Sequence, residues 1–132
     1  MTTYESRTIA VSIDRGWREV YDFLSAPQSF ARWASGLGSG LERRGEEWIA
    51  QGPNGPIRVR FTPRNDFGVL DHLVVAESGA ENANPMRVMA NGTGSEVTFT
   101  LFRGPGTTAG QFAADADWVS RDLQTLKALL EA

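Results

Sequence analysis

The chain has 132 residues, enough for one hydrophobic core and too few for a second. Its 13 Lys and Arg are scattered and stand against 16 Asp and Glu, so the basic patch of a nucleic-acid-binding protein is missing. The absence of cysteine excludes disulfides and thiolate metal sites. No signal-peptide pattern opens the sequence and no apolar run approaches the ~20 residues of a membrane span, so we expect a cytoplasmic protein.

The first third of the chain predicts one strand followed by two short helices. Ser6–Asp14 alternates between apolar and polar residues, as a half-buried strand does. Apolar residues at helical spacing follow, namely Trp17, Val20, Tyr21 and Leu24. Pro27 then opens a second short helix that carries Phe30 and Trp33, and Gly36 and Gly38 are expected to end it.

The middle of the chain predicts six strands joined by short turns. Turn residues separate the apolar runs, as in an antiparallel meander. Pro53-Asn54-Gly55-Pro56 is expected to form one turn, and Gly79–Pro85 is predicted to be a loop. The predicted strands are Leu41–Arg43, Glu47–Ala50, Ile57–Thr62, Val69–Glu77, Met86–Asn91 and Glu96–Arg103.

The last segment, Ala109–Ala132, predicts one amphipathic helix of roughly 36 Å. Thr108 and Gln111 match the pattern of a capping box. The apolar stripe comprises Phe112, Ala116, Val119, Leu123, Leu126 and Leu130. We therefore expect one α+β domain over residues 1–132, in which about seven strands form a curved antiparallel sheet around this helix. Space between the sheet and the helix would be a ligand pocket.

The order of these elements resembles the START-like or SRPBCC superfamily. The resemblance is carried by the opening strand with Trp17–Leu24, the Pro27–Trp33 helix and the closing Phe112–Leu130 helix. Asn65–His72 is similar to a subgroup of the bacterial polyketide cyclase/dehydrase-like members. The resemblance implies the helix-grip fold of the birch-pollen-allergen group. It implies no cofactor, and it brings no catalytic motif that can be assigned residue by residue.

Strand alternation indicates which side chains face the helix. Ile57, Val59 and Phe61 alternate with arginines, so the apolar residues are expected to face inward. On the next strand, the solvent preference of Asp71 turns Leu70 and His72 inward. The predicted ligand-binding side chains are Trp33, Trp48, Val59, Phe61, Leu70, His72, Met86, Val88, Phe99, Trp118 and Val119. The tryptophans among them either form the pocket wall or simply fill the core.

His72, the sole histidine, is the candidate catalytic residue. It is either a general acid or base and ligand contact, or a buried imidazole hydrogen-bonded to its surroundings. If His72 faces an apolar cavity without a carboxylate partner, burial is expected to lower its pKa. Arg87 either faces water or lies inward as the partner of an anionic ligand. No metal site is predicted, because one histidine is far short of a ligand set.

Two function classes remain open at this point. The first is a protein that binds a small hydrophobic molecule, lipid-, aromatic- or polyketide-like, or a partner protein, without chemistry. The second is a polyketide cyclase/dehydrase-type enzyme that uses His72 as its acid or base. An enzyme needs a second polar group within hydrogen-bond reach of His72, and a carrier does not. A homodimer is compatible with either class.

Overall fold

The strands form two antiparallel sheets. The computed structural model describes residues 1–35, 41–52 and 55–132. The strands are β1 (Ser6–Ile13), β2 (Glu42–Arg44), β3 (Glu47–Gly52), β4 (Gly55–Phe61), β5 (His72–Ala76), β6 (Glu81–Asn84), β7 (Met86–Asn91) and β8 (Gly94–Phe102). The helices are α1 (Trp17–Leu24), a 3-10 turn (Pro27–Ser29), α2 (Phe30–Trp33) and α3 (Ala109–Glu131). The predicted helix end at Gly36 and Gly38 and the predicted turn at Pro53 and Asn54 lie outside the described residues.

The expected single sheet of about seven strands is corrected by this arrangement. The described chain has eight strands, ordered β1-β8-β7 in one sheet and β2-β3-β4-β5-β6 in the other. The extra strand is β6, which lies within the segment Gly79–Pro85 that was predicted to be a loop. Its sequence, Glu-Asn-Ala-Asn, has low strand propensity, and only backbone pairing with β5 reveals it. Pro85 separates β6 from β7, and its carbonyl accepts a hydrogen bond from Thr100 N at 2.9 Å.

A short segment before β5 holds the two sheets together. Leu70 N donates to Met86 O at 2.8 Å, and Val88 N donates to Gly68 O at 3.0 Å. The Asp71 carboxylate accepts from Met86 N at 2.8 Å and from both Nε and Nη2 of Arg87. Partial burial acts to raise the pKa of Asp71, but these hydrogen bonds and the guanidinium charge hold that pKa below its ordinary value. Strand β5 therefore begins at His72 rather than at the predicted Val69.

The C-terminal helix packs against β1 and α2 with the predicted stripe. Thr108 caps it by accepting a hydrogen bond from Gln111 N at 3.0 Å, whereas the Gln111 side chain bonds to Asp115. The cap is thus one half of the predicted capping box. The buried residues of α3 are Phe112, Ala116, Leu123 and Leu126. Within the part of the chain that the structure describes, no helix has the length and apolar character to cross a membrane.

Candidate ligand-binding cavity

A cavity of about 160 Å³ lies where α2, α3, β5 and β8 converge. Its walls are Phe30, Trp33, Ala34, His72, Phe99, Trp118, Val119 and Asp122. An apolar cavity of about 150 Å³ in another protein holds benzene, whereas sites for drug-sized ligands start at about 300 Å³. The space therefore matches one aromatic ring with a small substituent.

The imidazole of His72 is enclosed by aromatic rings on the inner side of β5. Its ring centroid lies 5.4 Å from that of Phe30, 5.9 Å from that of Phe61 and 5.8 Å from that of Phe99. Nδ1 lies 3.2 Å from the Leu70 carbonyl oxygen. A carbonyl only accepts, so Nδ1 carries the proton and Nε2 of the neutral ring keeps its lone pair. Among the described residues, Nε2 has no hydrogen-bond partner.

Burial controls the protonation of His72. Removal from water lowers its pKa below the ordinary value of 6.5, while the hydrogen bond to the Leu70 carbonyl and the charge of Asp71 oppose that change in part. The direction agrees with the expectation from the sequence. The imidazole is therefore neutral at pH 7. In this state its Nε2 can accept a hydrogen bond from a ligand.

Trp33 is the second polar group of the cavity wall. Its side chain is only 4% exposed, and its ring centroid lies 5.0 Å from that of Phe30. Among the described residues, its Nε1–H has no hydrogen-bond partner. A buried donor without a partner costs about 1 to 3 kcal/mol, so such groups are rare unless something else pairs with them.

A hydrogen-bonded chain crosses the rim of the cavity. Trp118 is 41% exposed, and its Nε1–H donates to Ser35 Oγ at 2.7 Å. Ser35 Oγ in turn donates to Asp122 Oδ1 at 2.7 Å, and Ser35 N donates to Oδ2 at 3.3 Å. Burial raises the pKa of Asp122, with the two Ser35 hydrogen bonds opposing the rise. The chain joins the end of α2 to α3.

The structure brings together only part of the predicted set of ligand-binding residues. Those at the cavity wall are Trp33, His72, Phe99, Trp118 and Val119. The others lie elsewhere, and they are Trp48, Val59, Phe61, Leu70, Met86 and Val88. Arg87 is exposed and paired with Asp71 at 2.8 Å, so the alternative that it points inward toward an anion is corrected.

These six side chains do not line the cavity, because a side chain that faces inward on its strand does not necessarily reach the cavity. Trp48 and Val59 pair across β3 and β4, and neither side chain lines the cavity. Phe61 contacts both Phe30 and His72, but its side chain lines a more open groove of about 320 Å³ along β4 and β5. The rest, Leu70, Met86 and Val88, are buried in the main core, where α1 packs on β7.

Three wall residues were not predicted, namely Phe30, Ala34 and Asp122. The signal for Asp122 was present in the helix period. It lies three residues after Val119 and four after Trp118, so all three share one face of α3. Phe30 could have been inferred from its position one turn before Trp33 on α2.

We expect the stability of the protein to fall as the pH drops below about 6.5, the ordinary pKa of histidine. The folded pKa of His72 is lowered, so the unfolded chain binds a proton that the folded chain rejects. The free energy of unfolding is therefore highest above the unfolded pKa. It declines below that pKa by at most about 1.4 kcal/mol per pH unit. Urea unfolding between about pH 7.5 and pH 5 measures this slope.

The matched comparison is His72→Gln over the same pH range. The variant should lose this dependence of stability on pH. The carboxyl groups whose pKa is lowered, such as those of Asp71 and Glu131, change the stability only near or below their ordinary pKa values of 3.8 and 4.5. Asp122 has a raised pKa and changes stability in the opposite direction, but it is present in both proteins. Equal slopes in the two proteins would contradict burial of a neutral His72.

No family model and no curated protein matches the sequence. Solved structures do match the fold. The Aha1 dimer from Colwellia psychrerythraea superposes with a TM-score of 0.74 at 14% identity, covering 96% of each chain. XoxI from Bacillus cereus gives a TM-score of 0.74 at 14% identity, covering 95% of this chain and 94% of that one.

DynU16, from the dynemicin biosynthetic locus, gives a TM-score of 0.70 at 17% identity. The match covers 96% of this chain and 47% of DynU16, so this chain corresponds to about half of that protein. At such identities the similarity shows the fold alone. The chain shares with these structures an α+β fold, which here has two antiparallel sheets and a C-terminal helix.

Proposed function

We propose that this protein binds a small hydrophobic molecule, one aromatic ring in size, in the cavity between α2, α3 and the strands. The observation that carries the proposal is an apolar wall of Phe30, Phe99 and Val119 around a space of about 160 Å³. Two side chains of that wall, Trp33 and His72, each have a ring nitrogen without a hydrogen-bond partner among the described residues, and that of Trp33 is fully buried. An apolar space with a few polar groups is the usual composition of a small-molecule site.

The geometry supports binding better than catalysis. A cyclase or dehydrase would need a second polar group in hydrogen-bond contact with His72 to stabilise developing charge. Among the described residues, the hydrogen bond of His72 goes to the Leu70 carbonyl, and its ring neighbours are phenylalanines. The origin of DynU16 in a biosynthetic locus is compatible with a small organic molecule as the ligand of this fold.

The size of the cavity narrows the ligand classes expected from the sequence. A multi-ring polyketide or a whole lipid exceeds about 160 Å³, unless the Trp118 side chain moves away from the rim. A single ring fits without such a movement. We therefore place an aromatic ligand ahead of lipid-like and polyketide-like ones.

Toluene tests the proposal because it has the apolar character of the wall and the size of one ring. We expect toluene to bind with a dissociation constant below about 1 mM. Val119→Phe adds a ring at the wall of the cavity, so it should weaken toluene binding at least about tenfold. Isothermal titration calorimetry or methyl NMR titration measures both constants.

Thr125→Phe is the matched control for Val119→Phe. Thr125 lies on the same helix, is exposed and is absent from the cavity wall, so the same bulky side chain there should leave toluene binding unchanged. Circular dichroism of each variant checks that α3 is intact. Equal toluene affinity in the two variants, or no toluene binding by the wild-type protein, would contradict the proposed site.

A homodimer is the second part of the proposal. The Aha1 structure is a dimer of the same fold, and this chain exposes large apolar side chains outside the cavity, among them Phe67 at 83% and Met89 at 45%. Sedimentation equilibrium over a range of protein concentrations would detect association. A monomer at every concentration would contradict the proposed homodimer, and it would not bear on the proposed ligand site.

A further inference from the structure

From the polar groups and charges of this cavity, we infer that the ligand is uncharged and carries a hydrogen-bond acceptor, as an aryl ketone or phenol does. This inference rests on the proposed function and specifies the chemistry of the same site. It excludes carboxylates, such as aromatic acids and fatty acids, from the natural ligand class.

The charges of the cavity wall disfavour an anionic ligand. The described wall has no lysine or arginine, and its one charged residue is the acidic Asp122 at the rim. The residues outside the described ranges, Gly36–Gly40, Pro53 and Asn54, carry no basic side chain either. A carboxylate moved into this apolar space would lose its hydration and find no counter-ion, which is strongly unfavourable. The only other titratable group of the wall, His72, is buried among phenylalanine rings.

The buried N–H of Trp33 favours a ligand that carries a hydrogen-bond acceptor. Trp33 is more than nine-tenths buried and its Nε1–H has no partner among the described residues, although its ring forms part of the cavity wall. A purely apolar ligand would leave this donor unpaired and more completely shielded from water. A carbonyl or hydroxyl oxygen on the ligand would accept from it, and a ligand hydroxyl could also donate to His72 Nε2.

Three compounds of nearly the same shape separate these requirements. Acetophenone, α-methylstyrene and benzoate have the same number of non-hydrogen atoms on the same ring. The first is a neutral acceptor, the second has no acceptor and the third is an anion at pH 7. We expect acetophenone to bind about five- to tenfold more tightly than α-methylstyrene, the effect of one net hydrogen bond. Benzoate should bind at least about tenfold more weakly than acetophenone.

The Trp33 indole N–H gives a direct readout in the wild-type protein. The sequence has four tryptophans, so the four indole signals of a ¹H–¹⁵N spectrum can be assigned by substituting each tryptophan in turn. Acetophenone should shift the Trp33 indole proton downfield, as a new hydrogen bond does. α-Methylstyrene should not produce this downfield shift. Once the signal is assigned, the shift is measured on the wild-type protein bound to each compound.

The Trp33→Phe variant tests the indole N–H by removing it. It keeps an aromatic ring and removes the N–H, so acetophenone should lose its five- to tenfold advantage while α-methylstyrene binds as before. Trp17→Phe is the control, because Trp17 packs on Tyr21 and Arg18 and does not line the cavity.

The outcomes separate the inference from the function on which it rests. If none of the three compounds binds, the proposed function fails and the inference fails with it. If α-methylstyrene binds as tightly as acetophenone, or the Trp33 signal does not shift downfield with acetophenone, the ligand does not need a hydrogen-bond acceptor. The proposed binding site is not contradicted by that result. If benzoate matches acetophenone, the requirement for an uncharged ligand is refuted.

Discussion

Replacement of Gly68 by alanine should lower the free energy of unfolding by about 2 to 5 kcal/mol. Gly68 has a φ of +70°, in the left-handed region that a side chain disfavours. A β-carbon at this position would also overlap the backbone carbonyl oxygen of Val88. That overlap can be relieved only by a backbone movement, which would strain the hydrogen bond from Val88 N to Gly68 O. Urea unfolding of the two proteins measures the loss.

Gly92→Ala is the matched control for Gly68→Ala. Gly92 has a φ of +60°, but no atom lies within 4 Å of the position that its β-carbon would take. The control should therefore show only the conformational cost of about 1 to 2 kcal/mol. A loss no greater at Gly68 than at Gly92 would show that the close approach to Val88 does not constrain the fold.

The Gly68 variant also has a consequence for the candidate site. Gly68 belongs to the segment that leads through Leu70 and Asp71 into His72, and this segment is hydrogen-bonded to β7 on both sides of Val69. A displacement there would move the start of β5. We therefore expect any folded Gly68→Ala protein to bind toluene more weakly, whereas Gly92→Ala should bind it normally.

Leu123→Ala should lower the free energy of unfolding by about 2 to 5 kcal/mol, the range for large-to-small changes in cores. Leu123 is 1% exposed and belongs to the core cluster that includes Val97 and Leu126. Removal of its side chain would leave a void that neighbouring side chains fill only in part. The urea midpoint of the variant, compared with that of the wild type, measures the effect.

Gln124→Ala tests the same stripe from the opposite side of the helix. Gln124 is exposed, and alanine has high helix propensity, so this variant should change stability by no more than about 0.5 kcal/mol. A midpoint for Leu123→Ala as high as that of Gln124→Ala would mean that the buried face of α3 has been assigned wrongly.

Local sequence patterns predicted most of the individual elements. The period of α3 indicated its buried residues, and the alternation in β1 and β4 indicated their buried faces, because each pattern follows from the geometry of one element. Strand β6 escaped prediction, since its Glu-Asn-Ala-Asn sequence forms a strand through pairing with β5. The burial of Val75 was not predicted either. Val74 and Ala76 lie on the same face of β5 as His72, so Val75 points to the opposite face, and it is nevertheless buried there.

The candidate site divides in the same way. The sequence alone determined that His72 faces inward and that Trp118 and Val119 share the helix with the core stripe, because side-chain direction follows from the local period. Only the tertiary structure decided that Phe30 and Asp122 meet His72 at one cavity, while the inward-facing Val59 and Val88 do not. Which inward side chains meet depends on strand register and on where α2 and α3 cross the sheets, and these are set by contacts between residues far apart in the chain.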